Sequence, residues 1–453
     1  MTAISDEVAQ VSSAAETTYM PGLSLRTNFS WTLLGNIVYS GCQWGMVVIL
    51  AKLGSPIMVG QFALGLAVTA PIIMFANLQL RAVQATDAKH EYLFGDYLGL
   101  RLIAIVLALV AIIAISFFSG YRTETMLVIL AVGVAKVFES MSDVFFGLLQ
   151  HHERMDRIAK SMMIKGPLSL LALGTGVYLT KSTLWGTIGL AITWALILVL
   201  YDIKSGVLIL RASTKTMNLS TGESTKHPSL SPRWEKAKLV RLALLALPLG
   251  FVMLLISLNA NIPRYFIEHY LGERQLGIFA AISYLMVAGT TIVSALGQSA
   301  SPRLAKYYAS GNHTAFRDLL VKLVAIAMLL GLAGLLVVIF AGRELLTLLY
   351  RPEYAKHVDI FLWAMVAAGI SYITSFLGYG MTAARYFKVQ MPLFTVVILV
   401  LIIACFWLIP AYGLLGAAMA LTIAAIAQML GSLVILAYAF RPPRGLEGSI
   451  EHG

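Results

Sequence analysis

The chain has 453 residues, of which 59% are hydrophobic and 12% are charged, and its mean hydropathy is +0.82. Soluble domains carry about 25% charged residues, so this composition and its long apolar runs exclude a soluble enzyme, a disordered chain and a fibrous protein. The net charge of +11 indicates nucleic-acid binding only where basic residues form a patch on a soluble surface.

The amino-terminal residues give no sign of a secretion signal. Residues 1–25 are polar, include Asp6, Glu7 and Glu16, and lack the apolar core of a cleavable signal peptide. The two cysteines, Cys42 and Cys405, lie within apolar segments, so we expect neither a disulfide framework nor a cysteine-based metal site. The expectation is a polytopic membrane protein.

Twelve apolar stretches are long enough to span a membrane. A helix needs roughly 20 apolar residues to cross a hydrocarbon core of ~30 Å. Stretches free of Asp, Glu, Lys and Arg lie at 27–51, 53–80, 102–121, 182–201, 242–263, 275–302 and 323–342. A further one, 389–440, holds two spans broken around 410–413, and three stretches with few charges lie at 125–149, 161–180 and 358–382. The predicted fold class is therefore all-α, with about 12 transmembrane helices.

The basic residues divide unevenly between the two sides of such a protein. Loops on the side of both termini hold 24 Lys and Arg, loops on the other side hold eight, and Lys136 lies inside a span. Cytoplasmic loops carry an excess of Lys and Arg, so both termini are predicted to be cytoplasmic. This asymmetry accounts for most of the net charge, and no nucleic-acid partner is expected.

The two halves of the chain resemble each other. Leu53-Gly54 followed by Gly60-Gln-Phe-Ala63 recurs as Leu271-Gly272 followed by Gly277-Ile-Phe-Ala280, and Trp185-Gly-Thr-Ile-Gly-Leu-Ala191 recurs as Tyr412-Gly-Leu-Leu-Gly-Ala-Ala418. Six helices plus six, both starting in the cytoplasm, indicate two six-helix lobes related by a parallel pseudo-two-fold repeat. The predicted divisions are a tail (1–26), an N-lobe (27–203), a flexible polar linker (204–241), a C-lobe (242–440) and a second tail (441–453).

These motifs, in this order, resemble the polysaccharide flippases of the MOP exporter superfamily over nearly all of residues 27–440. The matching segments are Leu50-Ala-Lys-Leu-Gly54, Gly60-Gln-Phe-Ala63, Tyr270-Leu-Gly272, Gly277-Ile-Phe-Ala280, Ser301-Pro-Arg-Leu-Ala305 with Gly311-Asn312, and Tyr412-Gly-Leu-Leu-Gly-Ala417. The resemblance implies a bacterial inner-membrane flippase, not an enzyme, that moves a polyprenyl-diphosphate-linked oligosaccharide by alternating access for exopolysaccharide or lipopolysaccharide synthesis. Membrane lipids would surround it, and a polysaccharide polymerase and glycosyltransferases are the candidate protein partners.

The most informative charges lie in the fourth span. Lys136, Glu139 and Asp143 follow an i, i+3, i+7 spacing, which places them on one helix face. A charge at the depth of Lys136 costs about 2.5–3.5 kcal/mol, so it should face a wet cavity or a partner. One hypothesis is that Lys136 attracts the substrate's phosphates and that Asp143 or Glu139 binds a coupling proton or sodium ion. The alternative is a Lys136–Glu139 pair that neutralises itself.

The repeat-related first and seventh spans supply further substrate-binding candidates. Span seven has a polar face that includes Asn261 and Arg264, and span one has a polar stripe that includes Asn36 and Gln43. Under the repeat, Gln43 aligns with Asn261, which favours a common cavity. Snorkelling of Arg264 to the outer interface and hydrogen bonding between helices are the alternatives.

Two arginines close the cytoplasmic ends of spans two and eight. Arg81 and Arg303 are related by the repeat, and a guanidinium group suits bidentate contact with phosphate. We therefore name both as substrate-binding candidates. The alternative is that each only anchors its span at the interface.

Other chemistries find little support. The sequence contains no Gly-rich phosphate loop, nucleophile elbow or His-Glu-x-x-His motif, so no metal, cofactor or ATP-driven export by this chain alone is expected. A cation-coupled multidrug antiporter of the same superfamily is the nearest rival, but span one has no acid and the deep charges are of mixed sign. A membrane-embedded polysaccharide polymerase or ligase needs a large external loop, and the longest here, about 343–357, is short.

Single cysteines test the predicted orientation in a chain whose Cys42 and Cys405 are first replaced by serine. The variant Ser224→Cys lies in the predicted cytoplasmic linker and should resist a membrane-impermeant thiol reagent in intact cells. The variant Glu353→Cys lies in the longest predicted external loop and should react. The reverse labelling pattern would overturn the orientation.

Overall fold

A computed structural model describes residues 23–87, 91–221, 230–384 and 386–439, and its ordered elements are helices throughout those ranges. The first predicted tail apart from residues 23–26, the whole of the second predicted tail (441–453) and residues 222–229 of the predicted linker lie outside the described residues. The main helices are α1 (Leu25–Leu53), α2 (Pro56–Ala76), α3 (Leu80–Ala85), α4 (Phe94–Phe118), α5 (Thr123–His151), α6 (Met155–Thr180), α7 (Thr183–Ile197), α8 (Ile203–Thr221), α9 (Lys236–Leu271), α10 (Glu273–Tyr284), α11 (Val287–Ala309), α12 (His313–Leu349), α13 (Val358–Ala383), α14 (Phe387–Tyr412) and α15 (Leu414–Ala439).

The membrane-spanning character of these helices is confirmed. Among the described residues, eleven helices or continuous helix pairs are long and apolar enough to cross a membrane. The pair α10 and α11, bent by 41°, makes a twelfth if it counts as one span. This number agrees with the predicted twelve spans, and the broken eighth span falls where 275–302 was predicted.

Several predicted spans were too short, because each was made to begin or end at a charged residue. Helix α4 begins at Phe94 rather than 102, and α6 begins at Met155 rather than 161. Arg101 and Lys165, which were counted among the cytoplasmic loops, therefore lie inside helices and are buried. Without these two, the basic residues still divide 22 to eight, so the predicted orientation does not change.

Part of the predicted 204–241 linker is helical. Helix α8 continues to Thr221, after a single π-helical turn at Leu198–Asp202 that joins it to α7. The helix extends beyond 203 because Ile209 and Leu210 are buried in the hydrophobic core formed around α4, α5 and the start of α9. Two apolar side chains that enter a core stabilise such a turn by roughly 1.5–3 kcal/mol each.

The chain forms two compact units. Unit 1 comprises residues up to 54 and 68–254, and unit 2 comprises 55–67 and residues from 255 onward. The division thus passes through α2 and α9 rather than only through the linker. Each unit therefore contains part of α2 and part of α9.

Within unit 2, the repeated glycine motifs explain a close helix contact. A Cβ atom built on Gly277 at the start of α10 would lie 1.8 Å from the backbone oxygen of Pro56, and one built on Gly60 in α2 would lie 1.9 Å from that of Glu273. No side chain fits at such distances, since backbone meets backbone. The glycines that reveal the repeat in the sequence are thus the residues at which α2 and α10 cross.

We expect Gly277→Ala to destabilise the purified protein by at least about 1–3 kcal/mol, because the added methyl group forces the two backbones apart. The matched control is Gly378→Ala in α13, where a Cβ atom meets nothing within 4 Å and where alanine favours the helix. Thermal unfolding in detergent, followed by size-exclusion chromatography, measures both variants. Equal melting temperatures for the two would contradict the proposed crossing.

Candidate functional site

The charged stripe predicted on the fourth span is present on α5. Between Ser140 and Leu149 this helix is buried except at Met141 and Asp143. Towards the helix centre, the side chains of Lys136 and Glu139 remain 20% and 33% exposed. Between Ser140 and Leu149, Asp143 is therefore the one accessible polar side chain of α5, and Lys136 and Glu139 continue this accessible polar line towards the helix centre.

Lys136 and Glu139 form the predicted pair. The Lys136 Nζ atom lies 2.6 Å from Glu139 Oε2, and the Tyr39 hydroxyl on α1 donates to Glu139 Oε1 at 2.8 Å. The ammonium group also lies 5.3 Å from the centre of the Trp194 ring on α7, a cation–π distance. Both oxygens of Glu139 are thus engaged, whereas Lys136 retains ammonium protons that can reach a second anion.

Asp143 is held between two arginines. Its Oδ2 atom lies 3.1 Å from Nη2 of Arg101 on α4, and its Oδ1 atom lies 3.6 Å from Nη1 of Arg81 on α3. The Arg101 side chain is completely buried and also donates to Asn77 and, at 3.2 Å, to Ser140 Oγ. Arg101 was not predicted as a site residue, because the 102–121 stretch was begun immediately after it.

Arg81 is the more accessible of the two arginines, with 31% of its side chain exposed. Its Nε atom donates to Gln150 Oε1 at 2.9 Å, and its guanidinium group lies 5.6 Å from the centre of the Phe146 ring. Helix α3, which carries Arg81, packs directly on α5 at Gly147, where a Cβ atom would lie 3.3 Å from Arg81 Cα. The arginine is therefore fixed in place while its Nη atoms point towards the accessible stripe at Asp143.

A third ion pair was missed from the sequence. Lys165 on α6 and Asp202 in the π-turn lie 3.6 Å apart with side chains only 3% and 0% exposed. Lys165 was counted as a loop cation, and Asp202 falls one residue beyond the predicted 182–201 stretch. The sequence did contain a signal that Lys165 belongs to a polar helix face, because Ser161, Lys165 and Ser169 follow an i, i+4, i+8 spacing on α6.

Aromatic rings join the three pairs into one group, which we call the ion cluster. The Phe146 ring lies 5.6 Å from the Arg81 guanidinium and 5.5 Å from the Lys165 ammonium, and the Trp194 ring lies 5.9 Å from Lys165 and 5.3 Å from Lys136. The ion cluster comprises Arg81, Arg101, Lys136, Lys165, Glu139, Asp143 and Asp202. Its four cations face three carboxylates, which gives a formal charge of +1.

The candidates on the seventh span also meet each other, within α9. Arg264 Nη1 donates to Asn261 Oδ1 at 3.1 Å, and Asn261 Nδ2 donates to the Ser257 carbonyl at 2.8 Å. Ser257 and Asn261 are buried, with 4% and 6% exposed. These hydrogen bonds join residues of the same helix, α9, and they orient the Arg264 guanidinium group.

The remaining candidates lie apart from the ion cluster's contacts. Asn36 is exposed and Gln43 is half-buried on α1, and Arg303 is exposed on α11 in unit 2. Asn28, at the start of the α1 stripe, has a structural contact, since its Oδ1 accepts from the Met155 backbone N–H at 3.2 Å. Arg81 thus has contacts within the ion cluster, whereas Arg303 is exposed on α11, and a shared substrate-binding role of the two arginines stays a prediction.

Comparison with known proteins decides the family. The chain matches the family described as polysaccharide biosynthesis protein over residues 25–308. It is 30% identical over 401 residues to the capsular polysaccharide biosynthesis protein CapF of Staphylococcus aureus, covering 87% of this chain and 95% of the relative. The chain belongs to the polysaccharide biosynthesis protein family.

Solved structures show that transporters share a similar fold with this chain. The lipid II flippase MurJ in an inward closed conformation has a TM-score of 0.67 at 15% identity, covering 90% of this chain and 87% of that one. An inward-facing multidrug resistance MATE family transporter of the MOP superfamily has a TM-score of 0.59 at 14% identity, covering 92% and 96%. The resemblance stated from the sequence motifs is confirmed at the level of family and fold.

Proposed function

We propose that this protein is a flippase that moves a polyprenyl-diphosphate-linked oligosaccharide across the bacterial inner membrane by alternating access, with both termini in the cytoplasm. The observation that carries the proposal is the +1 charge of the ion cluster, with its accessible cations, Arg81 and Lys136, at the two ends of the polar stripe. Membership of a polysaccharide biosynthesis family supports a saccharide cargo, and the transporter fold supports movement rather than synthesis.

A diphosphate group fits the accessible cations better than any neutral or cationic ligand. Arg81 shares Asp143 with Arg101, so an incoming phosphate can take the Arg81 Nη atoms without stranding the carboxylate, because the buried Arg101 still neutralises it. The guanidinium group of Arg81 is already oriented by Gln150. The binding site therefore needs no rearrangement of a buried charge.

Lys136 provides a second contact for the same anion at a different depth. It lies seven residues from Asp143 on α5, roughly 10 Å along the helix at 1.5 Å per residue. A phosphate that approaches Lys136 need not displace Glu139, whose Oε1 atom is held by Tyr39. Two cationic positions, one at each end of the stripe, would let the headgroup remain neutralised while it moves through the membrane, where an unpaired anion is prohibitively unstable.

The rival function, cation-coupled multidrug export, is less compatible with the ion cluster. A cationic drug needs a carboxylate with spare capacity, and each carboxylate of the cluster already contacts at least one Lys or Arg. The similarity to a MATE family transporter is at 14% identity and concerns the fold. Charge balance in the cluster thus favours an anionic substrate.

Cells that lack this protein should accumulate lipid-linked repeat units in the cytoplasmic leaflet while the synthesising enzymes remain active. In such cells, Arg81→Ala should restore export at a rate about 10- to 100-fold below that of the unchanged protein, since a charge-assisted contact contributes about 1.5–3 kcal/mol. Arg81→Lys should restore more, and the exposed Arg317→Ala on α12 serves as the matched control. Surface export assayed at equal membrane protein levels decides this. Units that reach the outer face without the protein would exclude a flippase.

Lys136 and Glu139 require a separate experiment, because a purely structural pair and a substrate-binding pair predict opposite results. Removing one partner leaves a charge without its counterpart, whereas removing both is tolerated if the pair is only structural. We expect the double variant Lys136→Leu with Glu139→Leu to insert normally and to be inactive in export. Export restored to the normal rate by the double variant would show that Lys136 does not bind the substrate.

A further inference from the structure

The second membrane span is interrupted by a backbone turn that its sequence does not require. Helix α2 ends at Ala76 and α3 begins at Leu80. Between them, Leu78 and Gln79 adopt positive φ angles of 49° and 51°. This left-handed region favours glycine, yet residues 76–86 contain neither glycine nor proline.

The turn is therefore strained relative to a continuous helix. Each non-glycine residue in the left-handed conformation costs a factor of roughly 5 to 30 in equilibrium. Residues 78–85 consist of leucine, glutamine, arginine, alanine and one valine, and all but the valine are good helix formers. Helices α2 and α3 also belong to one membrane span, Pro56–Ala85. A continuous helix is thus the competing conformation, and contacts elsewhere must hold the turn against it.

Two contacts hold the start of the turn. The side-chain oxygen of Asn77 accepts hydrogen bonds from Arg101 Nη1 and from Ser140 Oγ. Leu78 is 7% exposed and packs on α9 at Gly250, where an added Cβ atom would lie 2.8 Å from Leu78 Cδ2. The first of these contacts links the turn directly to the ion cluster through Arg101.

Arg81 closes a ring of contacts around the turn. Asn77 accepts from Arg101, whose Nη2 atom lies 3.1 Å from Asp143 Oδ2. Asp143 Oδ1 lies 3.6 Å from Nη1 of Arg81, which follows Asn77 by four residues. The Arg81–Asp143 contact is the longest in the ring, and its side chains are 31% and 26% exposed. Under the proposed function a phosphate replaces this contact, so cargo binding opens the ring beside the strained turn.

We propose that the turn Asn77–Gln79 is a conformational switch, and that withdrawal of Arg81 from Asp143 by an anionic cargo lets it relax towards a continuous α2–α3 helix. The change would rotate Arg81 about the helix axis, because residues after the turn would take the phase of α2, roughly 100° per residue. Asn77 is then a positioning residue that acts on the cargo through Arg81. The inference rests on the proposed function for the identity of the cargo, but the switch itself depends only on the turn and the ion cluster.

Two substitutions at Gln79 test the switch because they differ in what the backbone prefers. Glycine removes the strain of the left-handed conformation, whereas alanine keeps that strain and favours a helix. The equilibrium between turn and helix should therefore differ at least about 20-fold between Gln79→Gly and Gln79→Ala. The melting temperature of Gln79→Gly should also exceed that of Gln79→Ala, which is the reverse of the order at a helical position.

Spin labels measure the turn in the full-length protein in lipid vesicles, with Cys42 and Cys405 replaced by serine. Labels on Met74→Cys in α2 and Ala82→Cys in α3, both exposed positions, are eight residues apart, roughly 12 Å along a continuous helix. The population at this distance should be smallest for Gln79→Gly and largest for Gln79→Ala. Identical distance distributions for the two variants would overturn the switch.

Removing the Arg81 side chain imitates its displacement without any cargo. Arg81→Ala should increase the helical population by up to roughly five-fold, the worth of a partly exposed ion pair, and the exposed Arg317→Ala on α12 should not. Asn77→Ala should increase the helical population as well, whereas Asn77→Asp keeps an acceptor oxygen and should restore the turn. An unchanged population in a folded Arg81→Ala protein would show that the Arg81–Asp143 contact does not hold the turn, and the proposal would fail.

Inorganic diphosphate separates this proposal from the proposed function. Added to the labelled protein, it should shift the unchanged chain towards the helical distance and shift Gln79→Gly much less. A shift caused by Arg81→Ala but not by diphosphate would reject the diphosphate cargo and leave the switch standing. In cells, export by Gln79→Gly should fall about ten-fold or more below export by Gln79→Ala. Equal export by the two would overturn the part of the switch in transport.

Discussion

The burial of charge in an apolar setting is the constraint on which unit 1 depends. A lone guanidinium or ammonium group at this depth is costly, so Arg101, Lys165 and Asp202 are each enclosed together with an opposite charge and hydroxyl or amide partners. The buried charges and their partners come from α4, α5, α6, the π-turn and the turn that follows α2. The ion cluster therefore fixes the relative positions of the helices that surround α5, and it leaves Arg81 and the Lys136–Asp143 stripe accessible.

Sequence reasoning located the stripe and missed its supports for the same physical reason. Lys136, Glu139 and Asp143 stand out because they interrupt an apolar run, and their spacing alone gives the shared face. Arg101 and Lys165 lie near the ends of apolar runs, where a cation usually marks the interface. Only the position of Asn77, Ser140, Ser142 and Asp202 in three dimensions shows that these cations are inside the protein, and none of those neighbours is close in sequence to its partner.

The fold was more predictable than the site because its signals are local. Apolar length sets the number of spans, and the charge-free stretches fall within or close to the observed helices. The recurrence of Gly60 and Gly277 in matching motifs also carried information that a helix count does not, since these glycines mark the crossing of α2 with α10. The extension of α8 beyond 203 was unpredictable from the polar residues there, because it depends on a core contact of Ile209 and Leu210.

The accessible groups and the enclosed groups of the ion cluster have different consequences for an anionic cargo. The accessible cations, Arg81 and Lys136, can bind phosphate because the buried Arg101 and the Tyr39 hydroxyl keep Asp143 and Glu139 satisfied. The enclosed Lys165–Asp202 pair cannot reach a cargo, yet it shares aromatic rings with both accessible cations. The hydrogen bonds of the enclosed pair therefore hold α5, α6 and the π-turn together, while the accessible cations stay available to an anionic cargo.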